Sequence, residues 1–200
     1  MEAILGVLAI PLGILNLLGG IVSIIWLAFL GEWHLVLFGI AYAFVGTFLI
    51  SLVLLPGMIF AAPAAMAAER GKPWITLLLG VPSIIWTYFV LFGSCYIFLK
   101  IAVQNYEGQI IPYLLWAYAT AIGPWTYMAQ KEEQLGNESS IWPVFGAQVG
   151  TLLGAIALYI DPSDSSLDRV AIWMSPGLAL GLALQFFQMY VNTRRPRYFR

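Results

Sequence analysis

Long uncharged stretches alternate along the chain with short segments that hold all of its charged residues. Six such stretches occur, and each is long enough to cross a bilayer once as a helix but too short to cross it twice. They cover residues 3–31, 35–68, 73–99, 108–130, 139–160 and 170–193. Strands of a β-barrel would be about ten residues long and would alternate in polarity, which these stretches do not. The pattern therefore predicts an all-α, polytopic membrane helix bundle with six transmembrane helices.

The predicted spans form a single transmembrane domain over residues 1–193, followed by a basic tail at 194–200. Their approximate limits are 3–31, 35–56, 74–99, 109–130, 140–160 and 170–192. Composition agrees, because 61% of the 200 residues are hydrophobic and only 10% are charged, a balance far from that of soluble domains. The first stretch is kept as a span rather than a signal peptide, since no basic segment precedes it.

Basic residues predict the orientation of the bundle, because Lys and Arg are retained on the cytoplasmic side of a membrane. An N-terminus in the cytoplasm places seven of the nine basic residues inside and divides the ten acidic residues equally. The seven are Arg70, Lys72, Lys131, Arg194, Arg195, Arg197 and Arg200, whereas Lys100 and Arg169 lie outside. We therefore expect both termini inside (N-in/C-in), in a bacterial inner membrane or a plasma membrane. The four tail arginines are expected to contact anionic lipid, with a protein-docking peptide as the alternative.

The second stretch is longer than a bilayer requires. Pro56 removes a backbone donor and is expected to kink or end the helix, with Gly57 beside it as a hinge. Residues 57–68 then remain to be placed. One hypothesis is a bent helix whose last turns emerge along the cytoplasmic interface; the alternative is a re-entrant half-helix beside a pore.

Glycines at helical spacing predict close helix packing. Gly146, Gly150 and Gly154 recur every four residues in the fifth span, and Gly177 and Gly181 repeat this spacing in the sixth. Small residues let two helices approach closely in lipid, where hydrophobic burial cannot drive their association. The glycines are therefore expected to form either a seam between the fifth and sixth helices or an interface between subunits of a homo-oligomer.

Charged groups are absent from the predicted spans, which argues against proton relays, ion-coupled transport and voltage sensing. His34 is the single histidine and lies at a predicted boundary, and Cys95 is the single cysteine. No cluster of His, Cys, Asp and Glu has the spacing of metal ligands. We therefore expect no enzyme activity, no metal, no cofactor and no nucleic-acid partner.

Neutral polar residues remain inside the spans, and they allow two interpretations. They could line a water-filled vestibule open to the cytoplasm, or they could hydrogen-bond between helices at about 1 kcal/mol or less each. The candidates are Asn16, Thr47, Ser51, Tyr118, Gln148, Thr151, Gln185, Gln188 and Asn192. The aromatic residues of the fourth span, which surround Tyr118, suit a ligand or lipid pocket, although core packing is the simpler explanation.

These observations favour a channel or facilitative carrier for an uncharged small molecule that passes through a neutral polar cavity. The alternative is a non-catalytic accessory or structural subunit that binds another membrane protein or lipid. None of the sequence motifs is specific enough to decide between the two.

Overall fold

A computed structural model of the chain describes residues 2–134, 141–162 and 167–194. These residues form six helices and contain no strand. The helices are α1 (Glu2–Phe29), α2 (Trp33–Glu69), α3 (Pro73–Asn105), α4 (Ile111–Gln134), α5 (Ile141–Ile160) and α6 (Leu167–Arg194). Four of them, α2, α3, α5 and α6, are long and apolar enough to cross a membrane. The predicted all-helical class is confirmed, and the four long apolar helices indicate a membrane protein.

Tight connections join the first helices. Gly31 lies between α1 and α2 with a φ of 86°, and Gly71 lies between α2 and α3 with a φ of 66°. Only glycine adopts such left-handed angles without strain. At the second turn the Lys72 amide donates to the Ala67 carbonyl at 2.9 Å, and Pro73 then begins α3. These turns reverse the chain within a few residues, so that successive helices pack antiparallel.

The helix α4 lies at the centre of the bundle and contacts α1, α2, α3 and α5. The helix α6 packs mainly on α5. One end of the bundle, which we call the Glu32 end, carries the connections 30–32, 106–110 and 161–162. The opposite end, the Lys72 end, carries the connection 70–72.

An aromatic group anchors α2 and α3 to α4. The Trp116 indole is 1% exposed, and its Nε1–H donates to the Leu35 carbonyl at 3.0 Å. Phe98 lies edge-on to both Trp116 and Tyr42, with ring centroids 5.9 Å and 4.8 Å apart. Edge-to-face pairs are a favourable arrangement of aromatic rings, and a buried indole requires a hydrogen-bond acceptor. The Leu35 carbonyl provides that acceptor, near the first turn of α2.

The second helix continues through Pro56 and Pro63 to Glu69, so the expectation that it could end at Pro56 is wrong. Residues 57–68 extend α2 without a turn, which excludes a re-entrant half-helix within them. Gly57 packs closely on α3, because a Cβ there would lie 2.8 Å from Trp86 Cδ1. The Trp86 indole in turn donates to the Val53 carbonyl at 2.9 Å. The glycine thus has a packing role that the hinge prediction did not include.

Candidate functional site

The glycines of α5 and α6 face each other where the two helices cross. A Cβ on Gly146 would lie 2.6 Å from the Gly177 carbonyl oxygen and 2.7 Å from Gly181 Cα. A Cβ on Gly150 would lie 2.9 Å from the Met174 carbonyl oxygen. These distances are all shorter than a real Cβ contact, so both positions exclude any side chain. The backbones of α5 and α6 therefore touch along this seam.

Gly154 differs from the other glycines of the seam. The nearest neighbours of a Cβ at this position would be side chains, with Met174 Cγ at 3.0 Å, Leu99 Cδ1 at 3.1 Å and Val170 Cγ1 at 3.2 Å. Leu99 belongs to α3, so the seam opens here into a junction of three helices. A methyl group at this position requires side chains to shift, whereas one at Gly146 meets backbone.

Three polar residues lie around Gly181 at the Lys72 end of the seam, and we call Tyr88, Trp142 and Gln185 the seam cluster. The Tyr88 hydroxyl and the Trp142 carbonyl lie 3.2 Å and 3.1 Å from a Cβ position on Gly181. Gln185 follows Gly181 by one helical turn and therefore lies on the same face of α6. Three helices thus contribute to the cluster: α3 through Tyr88, α5 through Trp142 and α6 through Gln185.

Each member of the seam cluster has a buried polar atom without a partner among the described residues. These atoms are the Tyr88 hydroxyl, Trp142 Nε1 and Gln185 Oε1. Buried polar atoms in proteins are nearly always hydrogen-bonded to protein or water, and an unsatisfied one costs about 1–3 kcal/mol. The Trp142 indole can only donate, the Gln185 oxygen can only accept, and the Tyr88 hydroxyl can do both. The three atoms therefore provide neutral hydrogen-bond donors and acceptors rather than charges.

Five of the predicted cavity residues lie in α5 and α6. Gln148, Thr151 and Gln188 are buried, and Gln185 is half-buried. The Thr151 hydroxyl donates to the Ala147 carbonyl at 2.7 Å within its own helix. Asn192 lies in the last turns of α6, and its side chain is outside the described residues. The structure thus brings Gln185 to the seam cluster but satisfies Thr151 locally.

A second set of polar side chains lies in the middle of the bundle, where α3 packs against both α4 and α5. The Trp125 indole donates to Ser94 Oγ at 3.2 Å, and the Ser94 hydroxyl donates to the Leu91 carbonyl at 2.7 Å. The Cys95 thiol is fully buried and lies against the hydroxyls of Ser94 and Thr151. The Tyr118 hydroxyl is buried without a partner among the described residues. Tyr118 therefore belongs to the central core rather than to the seam.

The other predicted cavity residues lie elsewhere. Thr47 and Ser51 are on α2, where the exposed Ser51 hydroxyl donates to the Thr47 carbonyl at 2.8 Å. Asn16 is half-buried on α1, and its Nδ2 has no partner in the described part of the chain. These three residues do not join the seam cluster.

The tail arginines lie largely outside the described residues. Arg194 is the last described residue of α6 and its side chain is not described, while Arg195, Arg197 and Arg200 lie outside the described residues. The predicted contact with anionic lipid therefore stays a prediction. Within the described ranges, no three His, Cys, Asp or Glu side chains form a group that could hold a metal ion.

A charged network joins three helices at the Glu32 end. The Tyr113 hydroxyl donates to Glu32 Oε1 at 3.0 Å, and His34 Nδ1 lies 3.4 Å from Glu32 Oε2. His34 Nε2 lies 3.4 Å from Asn105 Oδ1 at the end of α3. This network links the connection between α1 and α2 to α3 and α4. The position of His34 at a predicted span boundary did not predict its contacts with Glu32 and Asn105.

Sequence reasoning did not identify Tyr88 and Trp142 as members of a site. Trp142 begins the fifth span, where an interfacial position is the usual expectation for tryptophan, yet it is 3% exposed and covered by protein. Spacing within one helix shows which residues share a face, but it does not show which helix that face meets. The only available signal was the continuation of the Gly177 and Gly181 face to Gln185.

Comparisons with known protein families, with curated proteins and with solved structures found no match to this chain.

Proposed function

We propose that this chain is a six-span membrane protein whose seam cluster binds an uncharged small molecule on its way through the bundle, as a channel or facilitative carrier. The proposal rests on one observation: three residues around Gly181, from three helices, each have a buried polar atom without a partner among the described residues. The sequence of α5 contains no charged residue, and neither does α6 between Gly177 and Gln188. A neutral solute with a hydroxyl, amide or carbonyl group fits this set of donors and acceptors.

The proposed topology has six crossings with both termini in the cytoplasm. It assigns the Lys72 end, which includes Arg70 and Lys72, to the cytoplasm, and the Glu32 end, near Lys100, to the opposite side. The distribution of Lys and Arg supports this assignment. A plasma membrane or a bacterial inner membrane is the proposed location, and the same charge asymmetry is its support. The seam cluster then lies in the cytoplasmic half of the bilayer.

Solute flux into proteoliposomes tests the proposed transport. We expect vesicles with the purified protein to take up a small neutral solute such as glycerol or urea faster than empty vesicles. Tyr88→Phe and Gln185→Leu each remove one polar group of the cluster and should reduce this flux. Ser51→Ala is the matched control, because the exposed Ser51 hydroxyl is satisfied within α2.

Thermal unfolding of the same variants separates a binding site from a dry seam. In a dry seam, removal of an unpaired polar group is stabilising, by about 1–3 kcal/mol. In a hydrated seam, the group already bonds to water, and its removal leaves stability nearly unchanged or lower. Variants that are clearly more stable, in a protein that passes no neutral solute, would contradict the proposal.

The hairpin of α2 and α3 favours a second candidate, an accessory subunit that binds another membrane protein. The helix α2 has 37 residues, about 55 Å in length, whereas the hydrocarbon core of a bilayer is about 30 Å thick. Toward the Lys72 end of the hairpin, apolar side chains are exposed although α2 is longer than the bilayer requires. They include Ile59 on α2, and Trp74 and Leu78 on α3. A partner helix laid along the hairpin would cover them.

Native mass spectrometry from membranes in mild detergent tests this second candidate. We expect one partner at fixed stoichiometry, lost in Leu78→Ser but retained in Ile172→Ser on the exposed face of α6. A monomer that carries no partner and passes neutral solutes would contradict the accessory role.

A further inference from the structure

A second concave site lies apart from the seam cluster, between α1, α4 and α5. It is a pocket of about 190 Å³. The helix α4 lines it with four residues from Ile111 to Tyr118, α5 with four residues from Leu152 to Tyr159, and α1 with Leu15. This inference does not depend on the proposed transport, because the two sites share no residue.

The lining residues make the pocket a groove parallel to the helices. On both α4 and α5 they follow the spacing i, i+3, i+4 and i+7, which is one face of a helix over two turns, or about 10 Å. The two helices run antiparallel, so Ile111 and Tyr159 lie together at the Glu32 end. Tyr118 and Leu152 lie together at the other end of the groove, in the middle of the bundle.

The chemistry of the groove suits a hydrocarbon. Every lining residue is aliphatic except for the two tyrosines. Enclosed cavities lined by aliphatic and aromatic side chains stay dry and accept apolar groups, and this open groove has a lining of the same kind. Ile111, Ile156 and Tyr159 are exposed, so the groove opens on the outer face of the bundle, which faces lipid in a membrane protein. Tyr159 stands at its mouth with a phenol that can hydrogen-bond an ester carbonyl.

We propose that this groove binds one acyl chain of a membrane lipid. The carbonyl end of the chain lies at Tyr159, and the chain runs between α4 and α5 toward Tyr118. Lipid chains lie roughly along the bilayer normal, as the groove does in the proposed six-span topology, on which this inference rests. The groove is therefore continuous with the lipid-facing surface and is filled from it.

Photolabelling in nanodiscs tests the proposed lipid site. Two phosphatidylcholine probes are used, one with a diazirine near the acyl carbonyl and one with a diazirine near the terminal methyl, and labelled residues are mapped by mass spectrometry. We expect the carbonyl-proximal probe to label α4 and α5 near Ile111 and Tyr159. The methyl-proximal probe should label them near Tyr118 and Leu152.

Blocking the mouth of the groove should abolish this pattern. Ile156→Trp adds bulk at an exposed rim position, so folding does not require the new side chain to be buried. We expect labelling of the groove to fall about tenfold. If the new side chain keeps two methylene groups of the lipid chain out of the groove, the lost burial weakens binding by about that factor. Ile172→Trp, on the exposed face of α6 and outside the groove, is the control and should leave labelling unchanged.

Three results would overturn the proposal. They are labelling of the groove no stronger than that of the surface around Ile172, a reversed order of the two probes along α4 and α5, and equal labelling in Ile156→Trp and the unsubstituted protein. A fourth result would also contradict an acyl chain. If a small aromatic compound displaced both probes, and the probes did not label α4 and α5 in the expected order, the groove would bind a compact ligand instead. Circular dichroism of each variant verifies that its helices are intact.

Discussion

The Tyr113 hydroxyl donates a 3.0 Å hydrogen bond to Glu32 Oε1 from a position 81 residues away in the chain. Glu32 lies in the connection between α1 and α2, and Tyr113 lies in the first turn of α4. The carboxylate also faces His34 Nδ1 at 3.4 Å. One acidic side chain thus holds the first connection onto the central helix.

Tyr113→Phe removes this hydrogen bond and is expected to destabilise the protein. A hydrogen bond to a charged group contributes about 1.5–3 kcal/mol, and the Glu32 side chain is 15% exposed, so we expect a loss toward the lower figure. Thermal unfolding in detergent measures it. Tyr127→Phe is the control, since Tyr127 is exposed on the same helix. Equal stability of the two variants would show that the bond contributes nothing.

Gly177→Ala is expected to disrupt the contact between α5 and α6. A Cβ at this position collides with backbone atoms of Gly146 and Gly150, and backbone cannot rotate aside as a side chain can. Overpacking of this kind costs about 1–3 kcal/mol or more. Gly93→Ala is the control, because a Cβ there meets nothing within 4 Å, and alanine favours a helix by about 1 kcal/mol over glycine. The two variants should therefore change the unfolding temperature in opposite directions.

Gly150→Leu distinguishes a seam within one chain from an interface between subunits. If the seam joins α5 to α6 of the same chain, the substitution should prevent folding. If the glycines instead join two chains, a folded monomer should remain. Size-exclusion chromatography with circular dichroism separates these outcomes, and a folded monomer would contradict the intramolecular seam.

Trp116→Phe should destabilise the centre of the bundle. The substitution leaves the Leu35 carbonyl without its indole donor, and a buried acceptor that loses its partner costs about 1–3 kcal/mol. Trp74→Phe is the matched control, because Trp74 is 82% exposed at the start of α3. Denaturant unfolding followed by circular dichroism measures both. A change as small as that of the control would mean that water replaces the lost donor.

The limits of sequence reasoning differ between the fold and the site. The charged segments predicted six helices, because a charge in lipid is costly and a connection in water is not. The described residues form six helices, although Lys100 and Lys131 lie inside α3 and α4. Of the two outcomes expected at Pro56, a kink or an end of α2, the end is wrong, because the loss of one backbone donor does not end a helix whose neighbouring turns stay bonded. Gly57 then packs on Trp86, a contact between helices that no spacing within α2 contains.

The polar residues illustrate the same difference. Ser51 and Gln185 looked equivalent in the sequence as neutral polar residues within apolar stretches. In the structure Ser51 is exposed and bonded within α2, whereas the Gln185 oxygen is buried without a partner among the described residues. Which of them meets another helix depends on how α2 and α6 are rotated within the bundle, and that is decided by packing across the whole chain.

Cys95 should report on unfolding of the centre. It is the single cysteine of the chain and is fully buried against the hydroxyls of Ser94 and Thr151. A maleimide should therefore label the folded protein only as fast as the bundle opens, but should label it rapidly in denaturing detergent. Ile59→Cys in a Cys95→Ser background provides an exposed comparison on α2. Rapid labelling of native Cys95 would contradict the burial of this position.

The proposed orientation predicts which connections a membrane-impermeant maleimide can reach in intact cells. In a Cys95→Ser background, a single cysteine at the exposed Gln109 lies in the connection at the Glu32 end, and one at Arg70 lies in the connection at the Lys72 end. The positive-inside rule assigns the Lys72 end to the cytoplasm, so Gln109→Cys should be labelled at once and Arg70→Cys only after permeabilisation. The opposite order of labelling would show that the orientation in the membrane is the reverse of the proposed one. If both cysteines were labelled in intact cells, the two connections would lie on the same side of the membrane. Because α3 joins these connections, that result would contradict its assignment as a span.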